Sequence, residues 1–205
     1  MRISVPVWEM RGTGFSERNN NAMANDNGQL TLKKFRRHLR TVTHHRHLVF
    51  KHCRRCGLLW QGLTHDLSKY SPAEFLTAAR YYQGDRSPND AERKEKGASS
   101  VWMHHKGRNK HHYEYWTDYK VGEPEPTFTP VPMPNKYIIE MLCDRVAACE
   151  TYYKDKFDKS QPLAYFEHCK TDGLMHPETA KKLRALLKLY AEIGEETFDR
   201  IREGM

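Results

Sequence analysis

Twelve histidines stand in a chain of 205 residues, and their spacing sorts them into groups that can do chemistry. The tightest is the pair His65-Asp66, inside Gly62-Leu63-Thr64-His65-Asp66-Leu67-Ser68-Lys69-Tyr70. An imidazole nitrogen beside a carboxylate oxygen suits divalent Mn, Fe, Co, Ni or catalytic Zn. A structural zinc prefers thiolates. Lys69, three residues past the aspartate, comes near it on a helical turn and is placed to hold a phosphate oxygen. As a bare dipeptide, His-Asp is equally an accident of the surface.

A second group, His104, His105, His111 and His112, falls within nine residues bracketed by Trp102 and Trp116. Imidazoles packed beside aromatics need polar partners. The plainer alternative is a basic loop contacting anions, for which Arg108, Asn109 and Lys110 lie between the two pairs. Gly107 and Asn109 break any helix here, so the pairs need not share an axis.

The remaining candidates lie on helices. His38, His45 and His52 fall along one edge of an apolar stripe, at about 100° of rotation per residue, while His44 and His47 land on the solvated side. An edge histidine can reach inward as a ligand or serve as a hydrogen-bonded boundary residue. Asp144 shares a helix face with Tyr137, Met141 and Ala148. A carboxylate there is costly unless it binds metal or is paired. Its neighbour Arg145 points about 100° away, which leaves a salt bridge to another helix as the alternative.

The elements that must position these residues read as helices throughout. The first spans Leu30 to about Cys56, with Leu32, Phe35, Leu39, Val42, Val49 and Cys53 on its stripe and Gly57 as a stop. Ser71-Pro72-Ala73-Glu74 combines a capping box with proline at the first position, opening a helix to about Tyr82. Ser87-Pro88 repeats that signal for a helix towards Trp102, with Gly97 a candidate interruption. Five prolines between Gly122 and Pro134 make an extended connector. A long helix then runs from Pro134 through Asp144 to about Lys156, a shorter one covers Leu163 to Cys169, and a last one runs from Pro177 to near Arg202. No stretch alternates with period two, so the expected class is all-α. Residues 1–28 lack apolar periodicity and read as a flexible leader, with Met23 a second candidate start. Residues 29–205 read as one helical domain.

Composition narrows the class. Leu, Ile, Val and Phe number only 37, near the level at which charged chains become disordered, yet 11 Tyr, 8 Met and 4 Trp can fill a core. The formal net charge of +8 favours anionic partners such as nucleotides or nucleic acid. No run of about 18 apolar residues is present to span a membrane, and the first ten residues lack a signal-peptide core. Five cysteines without framework spacing point to a reducing, cytoplasmic setting.

In order, the set is a helical His45, the pair His65-Asp66, a histidine cluster and a late helical Asp144. It resembles the HD superfamily of metal-dependent phosphohydrolases, whose shared pattern is a helical His, an adjacent His-Asp and a distant helical Asp. His65-Asp66-Leu67-Ser68-Lys69 is similar to the His-Asp-x-x-Lys form of members that cleave cyclic dinucleotides. A closer likeness is to an uncharacterised family of small bacterial and phage proteins. It rests on His45 with Val49, on residues 65–71, on 104–116 (His104-His105, Asn109, His111-His112, Glu114, Trp116) and on Glu140-Met141 with Asp144, across about Leu30 to Tyr153. The resemblance implies a helical bundle in which His45, His65, Asp66 and Asp144 hold a first metal. It further implies that Asp66 bridges to a second metal held from among His104, His105, His111 and His112, with His105 and His112 favoured. The activity implied is hydrolysis of a phosphate ester, above all in a nucleotide, by a metal-activated water, with Asp66 and Lys69 at the reaction and Lys69, Arg108, Asn109 and Lys110 steadying the phosphate.

Two other readings remain open at this point. His-His…Asn…His is similar to an HNH nuclease site, but that motif usually sits on a two-strand and helix finger. A non-catalytic module, stabilised by metal and docking nucleic acid or protein, is the third. For it, Cys53-x-x-Cys56 with His52 offers half of a zinc site, a weak signal without a second pair.

Overall fold

The computed structural model describes residues 29–204, so the leader expected over 1–28 lies outside the described residues. These hold α1 (Leu32–Arg55), α2 (Leu59–Thr64), α3 (Pro72–Arg80), α4 (Pro88–Lys96) and α5 (Ser100–Lys106), then β1 (Thr117–Tyr119) and β2 (Phe128–Pro130). α6 (Asn135–Tyr153), α7 (Gln161–Cys169), α8 (Pro177–Ile193) and α9 (Glu196–Glu203) complete an all-α fold. None of these helices is long and apolar enough to cross a membrane.

Local chemistry sets most helix ends. The Thr31 hydroxyl accepts from the Lys34 amide to start α1, and Gly57, at φ +79°, lets the chain turn away after it. The Ser71 hydroxyl accepts from the Glu74 amide at the start of α3, whose first residue is Pro72. Gly97, at φ +77°, does interrupt the run towards Trp102 and separates α4 from α5. Glu92 then ties the two together, accepting from the Ser99 and Ser100 hydroxyls at 2.7 and 2.6 Å and from the Val101 amide.

α6 is the central helix, packed on α1 along one side and on α8 along another. Its buried residues face several ways, because partners surround it. The main core joins Val49 and Cys53 of α1, Ile138, Leu142 and Val146 of α6, Phe166 of α7, Leu183, Leu187 and Tyr190 of α8, and Phe198 of α9. Met133, Met141 and Met175 supply bulk that the sparse aliphatics lack. α2 sits close on α1 because Gly62 has no side chain; a Cβ there would lie 3.0 Å from that of Cys53.

Three expectations are corrected. The last helix is two, broken at Gly194 with φ +61°. The proline-rich connector is not wholly unpaired: Thr117 to Tyr119 pair antiparallel with Phe128 to Pro130. Leu32 and Leu39, expected on the inner stripe of α1, are exposed. The buried face is centred instead on His38, Val42, His45, Val49 and His52, which α3, α6 and α9 cover.

Candidate metal centre

Four segments bring the site together: α1, the turn after α2, the stretch from α5 through residue 112, and α6. The His65-Asp66 pair depends on an unusual backbone. His65 ends α2 and Asp66 takes a left-handed conformation at φ 54°, uncommon without glycine. The reversal allows both adjacent side chains to reach one centre. Arg46 of α1 fixes the turn, donating to the carbonyls of His65 at 2.7 Å and Leu63 at 3.0 Å.

The ligand atoms of His45, His65, Asp66 and Asp144 all lie within 4.8 Å of one another. His45 Nε2 is 3.0 Å from Asp144 Oδ1, and His65 Nε2 is 3.3 Å from Asp66 Oδ2 and 3.6 Å from Asp144 Oδ1. Donor atoms at such separations would be able to share one ion. Asp66 also belongs to a second group with His105, His111 and His112. Its Oδ1 is 3.2 Å from His105 Nε2 and 3.5 Å from His111 Nε2.

Two carboxylates that sequence reasoning did not assign to the site hold these rings. Glu140 Oε1 is 2.9 Å from His65 Nδ1 and 3.1 Å from His111 Nδ1. Glu74 Oε2 is 2.9 Å from His105 Nδ1. A proton on each Nδ1 then bonds to the carboxylate and leaves the Nε2 lone pair facing the centre. Signals for both were present. Glu140 is one turn before Asp144 on the same helix face, and Glu74 stands in the sequence as the far end of a capping box.

Inside the cluster, His65 Nε2, both Asp66 oxygens and the Nε2 atoms of His45, His105, His111 and His112 are buried without a hydrogen-bond partner. Seven such atoms converging form a cluster able to hold a metal ion, because imidazole with carboxylate is a donor set for divalent transition metals. The electrostatics agree. Burial opposes charge on His65, yet Asp66 outweighs it and holds the ring well above its ordinary value. His105 is raised in the same way. Burial also opposes charge on Asp66 and Asp144, but His65 and Lys69 around the first and His45 and His65 around the second keep both well below the carboxylate range. A divalent cation answers the same negative charge that draws protons to His65 and His105.

The other expected residues divide. Lys69 Nζ lies 2.5 Å from Asp66 Oδ2; burial disfavours its charge, but Asp66 and Asp144 more than restore it. His104 stands outside the ligand groups, its Nδ1 turned to Glu74 Oε1 at 2.6 Å. Asn109 is buried but spends its amide on the Ser68 hydroxyl and the His105 carbonyl, a positioning role. Arg108 bonds the His104 carbonyl and Lys110 lies over the Tyr115 ring, both on the exposed side. Of the undecided histidines, His52 pairs with Glu150 at 2.8 Å, and His38 packs on Phe75 and Tyr82, where burial lowers it to about 4. Cys53 and Cys56 belong to the apolar core, and no ligand group among the described residues includes a cysteine.

Two cavities adjoin the cluster. One of about 180 Å³ is lined by His45, Lys69, His105, His112 and Asp144, and one of about 460 Å³ shares His112, Asp144 and Trp102 with it. The fold and site together define an all-α protein with a buried His/Asp/Glu cluster able to hold metal. The chain belongs to the family of unknown function DUF5662, whose model matches residues 34–189. That match runs beyond Tyr153, where the motif resemblance ended, and takes in most of α8. None of the curated proteins and none of the solved structures shows a significant match.

Proposed function

We propose that the protein is a metal-dependent phosphohydrolase acting on a phosphate ester, in particular a nucleotide. The observation that carries this reading is the convergence of seven buried ligand atoms that lack a hydrogen-bond partner, one of them, Asp66 Oδ2, ion-paired with Lys69, beside a cavity. His45, His65, Asp66 and Asp144 would hold one ion, and Asp66 with His105, His111 and His112 a second. A divalent ion there, Mn, Fe, Co, Ni or Zn, supplies Lewis acidity, easing ionisation of water near it and neutralising phosphoryl charge.

The chain's own residues do the rest. Glu140 and Glu74 keep His65, His111 and His105 in the ligating tautomer. Lys69, charged and facing the smaller cavity, is placed to bind and orient a phosphoryl oxygen. The order His45, His65-Asp66, Asp144 supports the HD-like reading. The ribbon β1–β2 adds no residue to the ligand groups, which disfavours the HNH-like alternative.

Metal analysis of protein purified without a histidine tag is expected to find one or two equivalents of a divalent metal. Protein loaded with Mn²⁺, Co²⁺ or Fe²⁺ is expected to hydrolyse at least one nucleotide in a screen, and Asp66→Ala to abolish turnover. A tightly held ion with no turnover on any phosphate ester would leave a metal-stabilised binding module. Turnover unchanged by Asp66→Ala would overturn the assignment.

A further inference from the structure

Among the described residues, fifteen buried side-chain nitrogen and oxygen atoms lack a hydrogen-bond partner. Seven belong to the metal centre. Five of the other eight belong to residues lining the cavity of about 460 Å³: Asn89 Oδ1, Asp90 Oδ1, Glu114 Oε2, Arg145 Nε and Thr171 Oγ1. His112, which also lines it, joins the two sets. Native proteins leave few such atoms, and a cluster of them around one cleft asks for a ligand.

The donor and acceptor types say which ligand. Asn89 Oδ1, Asp90 Oδ1 and Glu114 Oε2 accept, Arg145 Nε donates, and the Thr171 hydroxyl does either. Charge is balanced, with Arg93, Lys94 and Arg145 against Asp90, Glu114 and Asp144. Lys94 is already within 3.3 Å of Asp90, and Arg93 lies over the Trp102 ring. A second phosphate would meet those carboxylates, so the cleft favours a neutral group. Trp102 and Tyr113 give it aromatic walls.

We infer that this cleft is a subsite for the neutral, planar, hydrogen-bonding part of the substrate: the base of a nucleotide whose phosphate lies at the metal centre. The inference rests on the phosphohydrolase reading for the phosphate and on the cleft alone for the base.

Binding to the intact protein, followed by calorimetry with four probe classes, tests each part. The probes are inorganic phosphate, ribose 5-phosphate, nucleoside 5′-monophosphates and free nucleosides. At least one nucleotide is expected to bind about tenfold or more tighter than ribose 5-phosphate, the worth of one or two net hydrogen bonds plus stacking. Thr171→Val and Asn89→Ala are expected to shrink that ratio several-fold, with unchanged circular dichroism showing that they fold. Equal affinity for ribose 5-phosphate and every nucleotide would overturn the base subsite and leave the phosphate site standing. Binding of nucleosides but no phosphorylated probe would do the reverse. No binding of any probe would remove both. The four probes on the unaltered chain decide the matter even if a variant fails to fold.

Discussion

His45 and His52 stand seven residues apart on one edge of α1, and both are buried. His52 Nε2 meets Glu150 Oε2 at 2.8 Å, and its ring stacks on Phe198 with centroids 4.6 Å apart. His45 Nε2 lies 3.0 Å from Asp144 without hydrogen-bond geometry, among further ligand atoms in the same condition. Helix phase and burial are therefore common to both ends of the helix. What separates them is Nε2: that of His52 is bonded to Glu150, although its Nδ1 is not partnered, whereas that of His45 joins a cluster of ligand atoms.

Removing the two histidines should therefore have different effects. His45→Ala is expected to weaken metal binding by on the order of 100-fold or more, read by metal content after dialysis against a weak chelator. That loss should exceed the effect of disturbing an orienting partner. The next largest effect is Glu140→Gln, which leaves His65 and His111 without their shared carboxylate. It should weaken metal binding by about tenfold while the protein stays folded. Metal affinity equal to wild type would mean that Glu140 is packing only.

At the opposite end of α1, His52→Ala should keep full metal content and lose stability. A lost ring contact and a stranded Glu150 cost about 3 kcal/mol, or on the order of 10 °C in melting temperature for a chain of this size. Loss of metal in that variant would erase the contrast between the two histidines. The smallest effect concerns Glu92, whose carboxylate is satisfied by its own neighbours and belongs to none of the ligand groups. Burial pushes its pKa up, but the bonds from Ser100 and Ser99 prevail and leave it lowered from 4.5. A lowered acid stabilises the fold above its unfolded value and loses that contribution as pH falls through the folded one. Glu92→Gln should therefore cost about 1 kcal/mol at pH 7, with the gap to wild type in urea midpoint closing as pH drops below 4.5. A gap that persists in acid would contradict this.

Much of this was readable beforehand, for identifiable reasons. α1, α3 and α6 follow from stripes and caps, and the inward turn of Asp144 follows from its place beside Met141. The break at Gly194 was hidden because Tyr190, Thr197 and Ile201 carry a helical repeat straight across it. The ribbon was hidden because strands of three residues are too short to show alternation. Glu74 shows how one residue can carry two signals. Its position is that of a capping box, and its amide does meet Ser71, but its carboxylate turns to His104 and His105. The left-handed Asp66 has no signature in composition or period. Only the folded turn reveals how neighbours in sequence come to share one centre.

The five cysteines are all free and all buried. Burial raises the thiols of Cys143 and Cys169 and pushes that of Cys149 up to about 12, so these three are poor nucleophiles at neutral pH. The native fold among the described residues is thus a nearly blank background for thiol chemistry. A single cysteine introduced on an exposed position, such as Val121 at the ribbon tip, would take a fluorophore or spin label almost alone. Distances from that label to a paramagnetic ion could then be measured without first stripping the protein of its own sulfur.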